Sequence, residues 1–286
     1  MADARKSLQV LYNEWNTCTK CELGKRREVV GGQFVFGDGV PKGILFVGEG
    51  PGKDEEKQGI PFVGKSGEVL RGVLNRLGVG EVYITNTVCC RSATPLIDQT
   101  TQQPILRKNY QTKQMEIAWK DEPPPPYIVS ACEPRLMEEI YLVDPVVIVS
   151  LGGGAASALT GAPITITTER GKERHISIPG AAHRAVLTEK RGAWRRKLKG
   201  EWIQPTEQNQ VRYLLIPTLH PSYVIRKLGD RGSNSPFRQF VDDIKKAAKI
   251  YERYMQEAFN ITPMADVSDE VIEEYHQELE EGPTDE

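Results

Sequence analysis

The stretch ILFVGEGPGKDEEKQGIPFVGKSGEVLRGVLNRL (residues 44–77) decides the fold. It opens on the continuous apolar run Ile44 to Val47, the signature of a strand buried on both faces, since a half-exposed strand would alternate. Gly48-Glu49-Gly50-Pro51-Gly52 then turns the chain. Past the turn Gly64-Lys65-Ser66-Gly67, Val69, Leu70, Val73, Leu74 and Leu77 keep helical spacing. Three further continuous runs follow, Val82 to Thr85, Val146 to Leu151 and Tyr213 to Ile216. A late helix begins at Ser235-Pro236, a cap residue with proline at the first turn, and runs through Phe237, Phe240, Val241, Ile244, Ala247 and Tyr251. Strands alternating with helices predict an α/β fold, a three-layer α/β/α sandwich around a mostly parallel four-stranded sheet.

Outward from that core, the chain of 286 residues is 39% apolar and 27% charged, which fits a folded protein carrying much polar loop. Residues 1–261 are expected to form one domain with insertions at about 93–126 and 187–210. The first insertion is polar, lacks periodicity and ends in the four prolines Pro123 to Pro126, so an extended, unpacked path is expected. The second carries EKRGAWRRKLKGEW (189–202), aromatics interleaved with six cations, readable as an electrostatic footprint for nucleic acid or as a solvated loop. Residues 262–286 form an acidic tail, with a short helix around Val271 to Leu279 that nothing obliges to pack. The net charge of −2 therefore conceals a basic remainder. The longest apolar runs are too short to span a bilayer and Met1 to Gln9 holds no signal peptide, so a monomer in the cytoplasm, away from membranes, is expected.

In open parallel sheets, ligands bind where the loops gather at the carboxyl ends of the strands. Here those ends carry Gly48 to Gly52, Asn86, Gly152-Gly153-Gly154 and His220-Pro221-Ser222. Four separate loops thus converge on one crevice. The five cysteines, Cys18, Cys21, Cys89, Cys90 and Cys132, are an odd number, which favours a metal site or buried thiols over a disulfide framework. Cys18 and Cys21, two residues apart, can reach one metal. Cys90 and Cys132 are isolated, so the spacing is not that of a zinc ribbon, and spacing alone does not choose zinc over iron–sulfur.

Taken in order, Cys18-x-x-Cys21, GEGPGKDEEKQGIPFVGKSG (48–67), YITNTVCCR (83–91), ACEPRL (131–136), PVVIVSLGGGAASALTG (145–161), ERG (169–171) and LHPSYV (219–224) resemble the family 4 uracil-DNA glycosylases, the iron–sulfur branch of their superfamily. The resemblance implies a DNA-repair enzyme that hydrolyses the N-glycosidic bond of uracil in DNA and leaves an abasic site. It places Phe62 against a flipped-out uracil, beside Gly48 and Gly50. Asn86 would then pair with the O4 and N3–H edge, which mismatches the N4 amine of cytosine. His220, as a neutral imidazole, would donate to uracil O2 as the base leaves, a contribution of ~3–4 kcal/mol. The resemblance also implies that Cys18, Cys21, Cys90 and Cys132 ligate a [4Fe–4S] cluster, with Cys89 a spare thiol able to replace Cys90. Ser222, Tyr223 and Arg226 would face the DNA, with Val224 and Ile225 adding apolar bulk. The base that activates water stays open. Gly50 stands where other branches carry Asp, leaving Glu49, Glu55 or an unassisted water. Two other readings are a non-catalytic uracil-DNA or single-stranded DNA-binding protein, and a covalent-trapping relative using His175 in KERHISIPG (172–180).

Overall fold

The computed structural model describes residues 2–108, 113–179, 210–261 and 267–282; the basic insert 189–202 and His183 lie outside the described residues. In chain order the elements are α1 (Ala2–Trp15), α2 (Glu22–Val30), β1 (Asp38–Gly39), β2 (Ile44–Gly48), α3 (Lys53–Gln58), α4 (Lys65–Arg76) and β3 (Val82–Asn86). Four short strands come next, β4 (Ala93–Pro95), β5 (Leu106–Lys108), β6 (Met115–Ile117) and β7 (Trp119–Asp121). The remainder is α5 (Pro126–Val143), β8 (Val147–Leu151), α6 (Gly153–Thr160), α7 (Ile166–Glu169), β9 (Arg174–Pro179), β10 (Gln210–Thr218), α8 (Pro221–Ile225), α9 (Pro236–Phe259) and α10 (Asp269–Glu281).

The main sheet runs β1-β3-β2-β8-β10-β9, with β3, β2, β8 and β10 parallel and the two outer strands antiparallel. The four parallel strands are the four apolar runs of the sequence. The flanking β1 and β9 enlarge the expected sheet to six strands. Side chains alternate between two cores. Ile44 and Phe46 enter one with α4, α9 and α10, while Leu45 and Val47 enter the other with α1, α2 and α5. Both faces are therefore covered, which is why the strands carry no polar alternation.

The first insertion does not stay extended. β4 pairs with β7 and β5 with β6, a nested pair of antiparallel ribbons. Their residues are mostly exposed, so the pairing comes from backbone bonds and turns that hydrophobic periodicity does not report. Pro126 becomes the first residue of α5, where its missing N–H costs nothing.

The acidic tail also departs from expectation. In α10, Ile272 is fully buried, His276 stacks on Phe237 with ring centroids 4.4 Å apart, and Tyr275 donates to the Glu68 carbonyl at 3.1 Å. Acidic residues pair with Arg76, Arg231 and Arg238. Exposed pairs contribute about 0–1 kcal/mol each, against roughly 1.5–3 kcal/mol for burying a side chain such as Ile272. Packing, more than charge, seats this helix. Among the described residues no helix is long and apolar enough to cross a membrane.

Candidate active site

Strand register places the site. Gly48 pairs with Asn86, and Leu151 with Thr218, so the carboxyl ends of the four parallel strands finish together and their loops share one rim. Thr87 N donates to the Gly48 carbonyl at 2.8 Å and Thr87 Oγ1 to the Glu49 carbonyl at 2.5 Å, locking the first two loops side by side.

Asn86 is 1% exposed, and among the described residues neither Oδ1 nor Nδ2 has a hydrogen-bond partner. A buried amide left unpaired costs about 1–3 kcal/mol, so it calls for an explanation in function. Gly48 makes room for it. A Cβ at that position would lie 2.3 Å from Asn86 Oδ1 and 2.6 Å from Phe62 Cζ. Amide and ring therefore converge over a residue without a side chain.

Phe62 sits at φ 55°, a left-handed conformation that is a genuine outlier for a bulky residue. Strain of this kind costs about 1–3 kcal/mol and persists only where neighbours over-determine it. The neighbours are visible. Arg71 donates to the carbonyls of Phe62 and Pro61, each at 3.2 Å, and Gly67 lies so close that a Cβ there would meet the Phe62 carbonyl oxygen at 1.8 Å. Glu55 completes the hold. Its Oε1 accepts from Val63 N at 3.0 Å and Gly64 N at 2.8 Å, and its Oε2 accepts from Gly52 N at 3.1 Å. With three backbone N–H groups on its carboxylate, Glu55 braces the loop.

His220 caps α8. Its Nδ1 accepts the Ser222 backbone N–H at 3.1 Å and lies 2.8 Å from Ser222 Oγ. A nitrogen that accepts from an amide carries no proton, so the neutral ring bears its hydrogen on Nε2. Burial, aided by the charge of Arg226, holds the pKa down at about 4. The ring centroid is 6.2 Å from that of Phe62. Gly152, at φ 93°, brings the third loop against it, since a Cβ there would approach His220 Cβ at 3.1 Å. The ERG segment acts from behind. Arg170 grips Asp243 of α9 through two contacts, 2.6 and 2.9 Å, and Thr218 donates to the same carboxylate at 2.7 Å, securing the strand end that delivers His220.

Glu49 lies against the first turn of α6. A Cβ on Gly154 would be 2.1 Å from its Oε1. Burial raises its pKa, and among the described residues its carboxylate has no hydrogen-bond partner. Gly50 abuts Val88, with 3.0 Å from a would-be Cβ to Val88 Cγ2. Of the residues expected to face DNA, Tyr223 and Arg226 are exposed and Ser222 is half-buried, whereas Val224 is fully buried in the core and offers no outward bulk. His175 pairs in register with Leu214, within the edge strand and away from the rim.

The cysteines gather on the opposite core. Cys18 and Cys21 lie in the turn before α2, Cys90 follows β3, and Cys132 sits on α5. Arg27 anchors the turn by donating to the Asn16 and Cys18 carbonyls, at 2.6 and 3.2 Å. Burial pushes the Cys90 thiol up to about 12, opposed by Arg27 and reinforced by Cys132, Cys21 and Cys18. Burial also raises Cys132, with Cys21 and Cys18 again among its neighbours. Burial likewise raises the thiol of fully buried Cys89, opposed by Arg135 and reinforced by Glu139, Cys132 and Cys90. Among the described residues no three Cys, His, Asp or Glu groups close on a single metal ion.

Sequence reasoning missed the network behind Asn86. Arg135 and Glu139 of α5 form a fully buried ion pair that also binds Thr85 and the Asn86 and Thr87 carbonyls. Read along the chain, Arg and Glu four apart on a helix look like an exposed surface pair.

The family model described as the uracil DNA glycosylase superfamily matches residues 34–245. Similar curated proteins include the type-4 uracil-DNA glycosylase of Thermotoga maritima, 29% identical over 86% of this chain and 95% of that protein. The type-4 uracil-DNA glycosylase of Pyrobaculum aerophilum is 36% identical over 53% of this chain and 64% of its own length. That of Archaeoglobus fulgidus is 32% identical over 53% and 62%. With the model covering both the unpaired Asn86 and the capped His220, this chain belongs to the uracil DNA glycosylase superfamily, in its type-4 branch.

Proposed function

We infer that this chain is a monofunctional uracil-DNA glycosylase that hydrolyses the N-glycosidic bond and leaves an abasic site, acting as a cytoplasmic monomer on uracil-containing DNA. The observation that carries the reading is the buried Asn86 amide with donor and acceptor both unpaired. A flipped uracil supplies the complement: O4 accepts from Nδ2 and N3–H donates to Oδ1. The Phe62 face packs on the base. Its strained backbone keeps the ring where the base arrives, and Glu55, Arg71 and Gly67 support that strain.

As the glycosidic bond breaks, negative charge grows on uracil O2 and positive charge on the sugar. His220, neutral and protonated on Nε2, donates to O2 without giving up its proton, and the Ser222 contacts preset that tautomer. Glu49 is the best-placed group to polarise the attacking water, because among the described residues its carboxylate is unpartnered where that of Glu55 accepts three backbone N–H bonds. Burial lifts the pKa of Glu49, which makes its carboxylate a better proton acceptor once ionised. Tyr223 and Arg226, beside His220, meet the DNA backbone.

Cys18, Cys21, Cys90 and Cys132 would hold a [4Fe–4S] cluster. Cys90 and Cys132 are buried and Cys18 and Cys21 half-buried against the same apolar core, and four thiols are the donor set such a cluster takes. Such a cluster would take one thiolate per iron. Cys90, whose thiol feels Cys18 and Cys21 as well as Cys132, is the better third ligand than Cys89, which is fully buried and feels Arg135 and Glu139. When bound, the cluster would fasten the N-terminal turn to α5 and to the segment after β3.

The test is direct. A uracil-containing oligonucleotide incubated with the protein and treated with alkali should break at the uracil on a denaturing gel, while a cytosine control stays whole. Binding without scission would sink the catalytic reading, and a protein–DNA adduct would point to covalent trapping.

A further inference from the structure

We propose that Arg135 is a positioning residue for uracil selection, holding the peptide that carries Asn86 although it never touches the base. The inference rests on the reading of Asn86 as the uracil-binding group.

The ladder between β2 and β3 ends at the Gly48–Asn86 pair. Beyond it the chain turns toward the cysteines, and while the Thr87 N–H is held by the Gly48 carbonyl at 2.8 Å, the Asn86 carbonyl of the same peptide needs an anchor of its own. Arg135 supplies it from the far side. Its Nη2 donates to the Asn86 carbonyl at 2.7 Å and to the Thr87 carbonyl at 2.9 Å. Two successive carbonyls held by one planar fork fix the peptide planes on either side of Thr87. The first of these sets ψ of Asn86 and so the direction of its Cα–Cβ bond.

The fork is itself immobilised. Its Nη1 reaches Thr85 Oγ1 at 3.3 Å and Glu139 Oε2. Glu139 accepts in turn from Tyr83 Oη at 2.9 Å, Thr85 Oγ1 at 3.0 Å and Gly37 N at 3.1 Å. Its side chains are sealed from solvent, with Arg135 and Glu139 both 0% exposed and Thr85 and Tyr83 1% and 2%. Lysine would retain the charge but not the planar fork. One helical turn before Arg135 stands Cys132, so the same helix that carries a cysteine ligand also sets the base-reading amide.

A purely structural ion pair would explain the burial equally well, so the test must separate the two roles. Single-turnover cleavage of a uracil oligonucleotide is measured for the natural protein, Arg135→Lys, Asn86→Ala and the double variant, with the melting temperature of each and inhibition by free uracil. Arg135→Lys is expected to slow cleavage on the order of 10- to 100-fold and to weaken uracil inhibition in parallel. On the Asn86→Ala background it should change the rate by no more than about twofold, because the group it positions is gone. The same fold loss in both backgrounds, or an unchanged rate with a lowered melting temperature, overturns the proposal. Full activity in Asn86→Ala alone would instead overturn the reading of Asn86, and with it this inference. Should Arg135→Lys not fold, Thr85→Val removes one hydroxyl from the network at constant size. The same cycle then applies, with a smaller loss expected and the same criterion.

Discussion

The end of β3 has two sides that obey opposite rules. Toward α5, nearly every polar group is satisfied: Arg135, Glu139, Thr85 and Tyr83 bond to one another and to two carbonyls. Toward the rim, one residue away, the Asn86 amide is equally buried and entirely unpaired. The difference separates scaffold from site. On the function proposed above, a ligand completes the amide that this otherwise closed network leaves open. Unpaired polarity in an otherwise satisfied neighbourhood marks the binding surface.

The largest expected effect breaks the satisfied side. Arg135→Ala leaves Glu139 buried without its partner, and the loss of folding free energy should be about 3–5 kcal/mol by denaturant titration. A loss below about 1 kcal/mol would mean the network contributes little to the scaffold.

The next strikes the open side through its neighbour. His220→Ala should lower the single-turnover rate by about 10²–10³-fold, roughly 3–4 kcal/mol, while the melting temperature scarcely moves. The pH profile sharpens this. The native pKa of about 4 lies below the ordinary 6.5. The neutral ring's contribution to stability is therefore complete above 6.5 and declines as pH falls toward about 4. Activity follows the native titration, so the rate should show no inflection from His220 near pH 6.5 and should fall only as pH approaches about 4. An acid limb centred near 6.5 that vanishes in His220→Ala would contradict the enclosed, neutral ring.

The smallest effect carries the most telling sign. Asn86→Leu, close in shape and free of polar atoms, should abolish uracil excision yet raise folding stability by about 1 kcal/mol, because an unpaired buried amide is removed. Destabilisation would show that the amide has partners in the folded protein and is not held open for a ligand.

Much of this architecture was legible along the chain. Four continuous apolar runs became the four parallel strands, and Ser235-Pro236 opens α9 with Ser235 accepting from Arg238 N at 3.2 Å. Those signals are local, set by burial on both faces and by capping chemistry. The two outer strands were not visible, β1 because it is two residues long and β9 because its basic start reads as a loop. The helix of the acidic tail was legible, but its docking was not. Tyr275 and His276 contact Phe237, Glu68 and Leu228, and Ile272 joins the core cluster of α4 and α9, all distant in sequence.

The two acids of the first motif show where local reading stops. Glu49 and Glu55 are alike as residues and six positions apart, and either was a candidate for the water. Only the tertiary structure separates them, through three backbone N–H groups that converge on Glu55 and a glycine helix turn that faces Glu49. The sequence by itself determined the fold class, the strand ends at which chemistry gathers and the residue types available there, because hydrophobic period and glycine placement act over a few residues. The tertiary structure decided which polar atoms are already bonded and which remain free. Hydrogen-bond satisfaction depends on partners that meet only when distant segments pack, as Arg135 of α5 meets the carbonyl of Asn86.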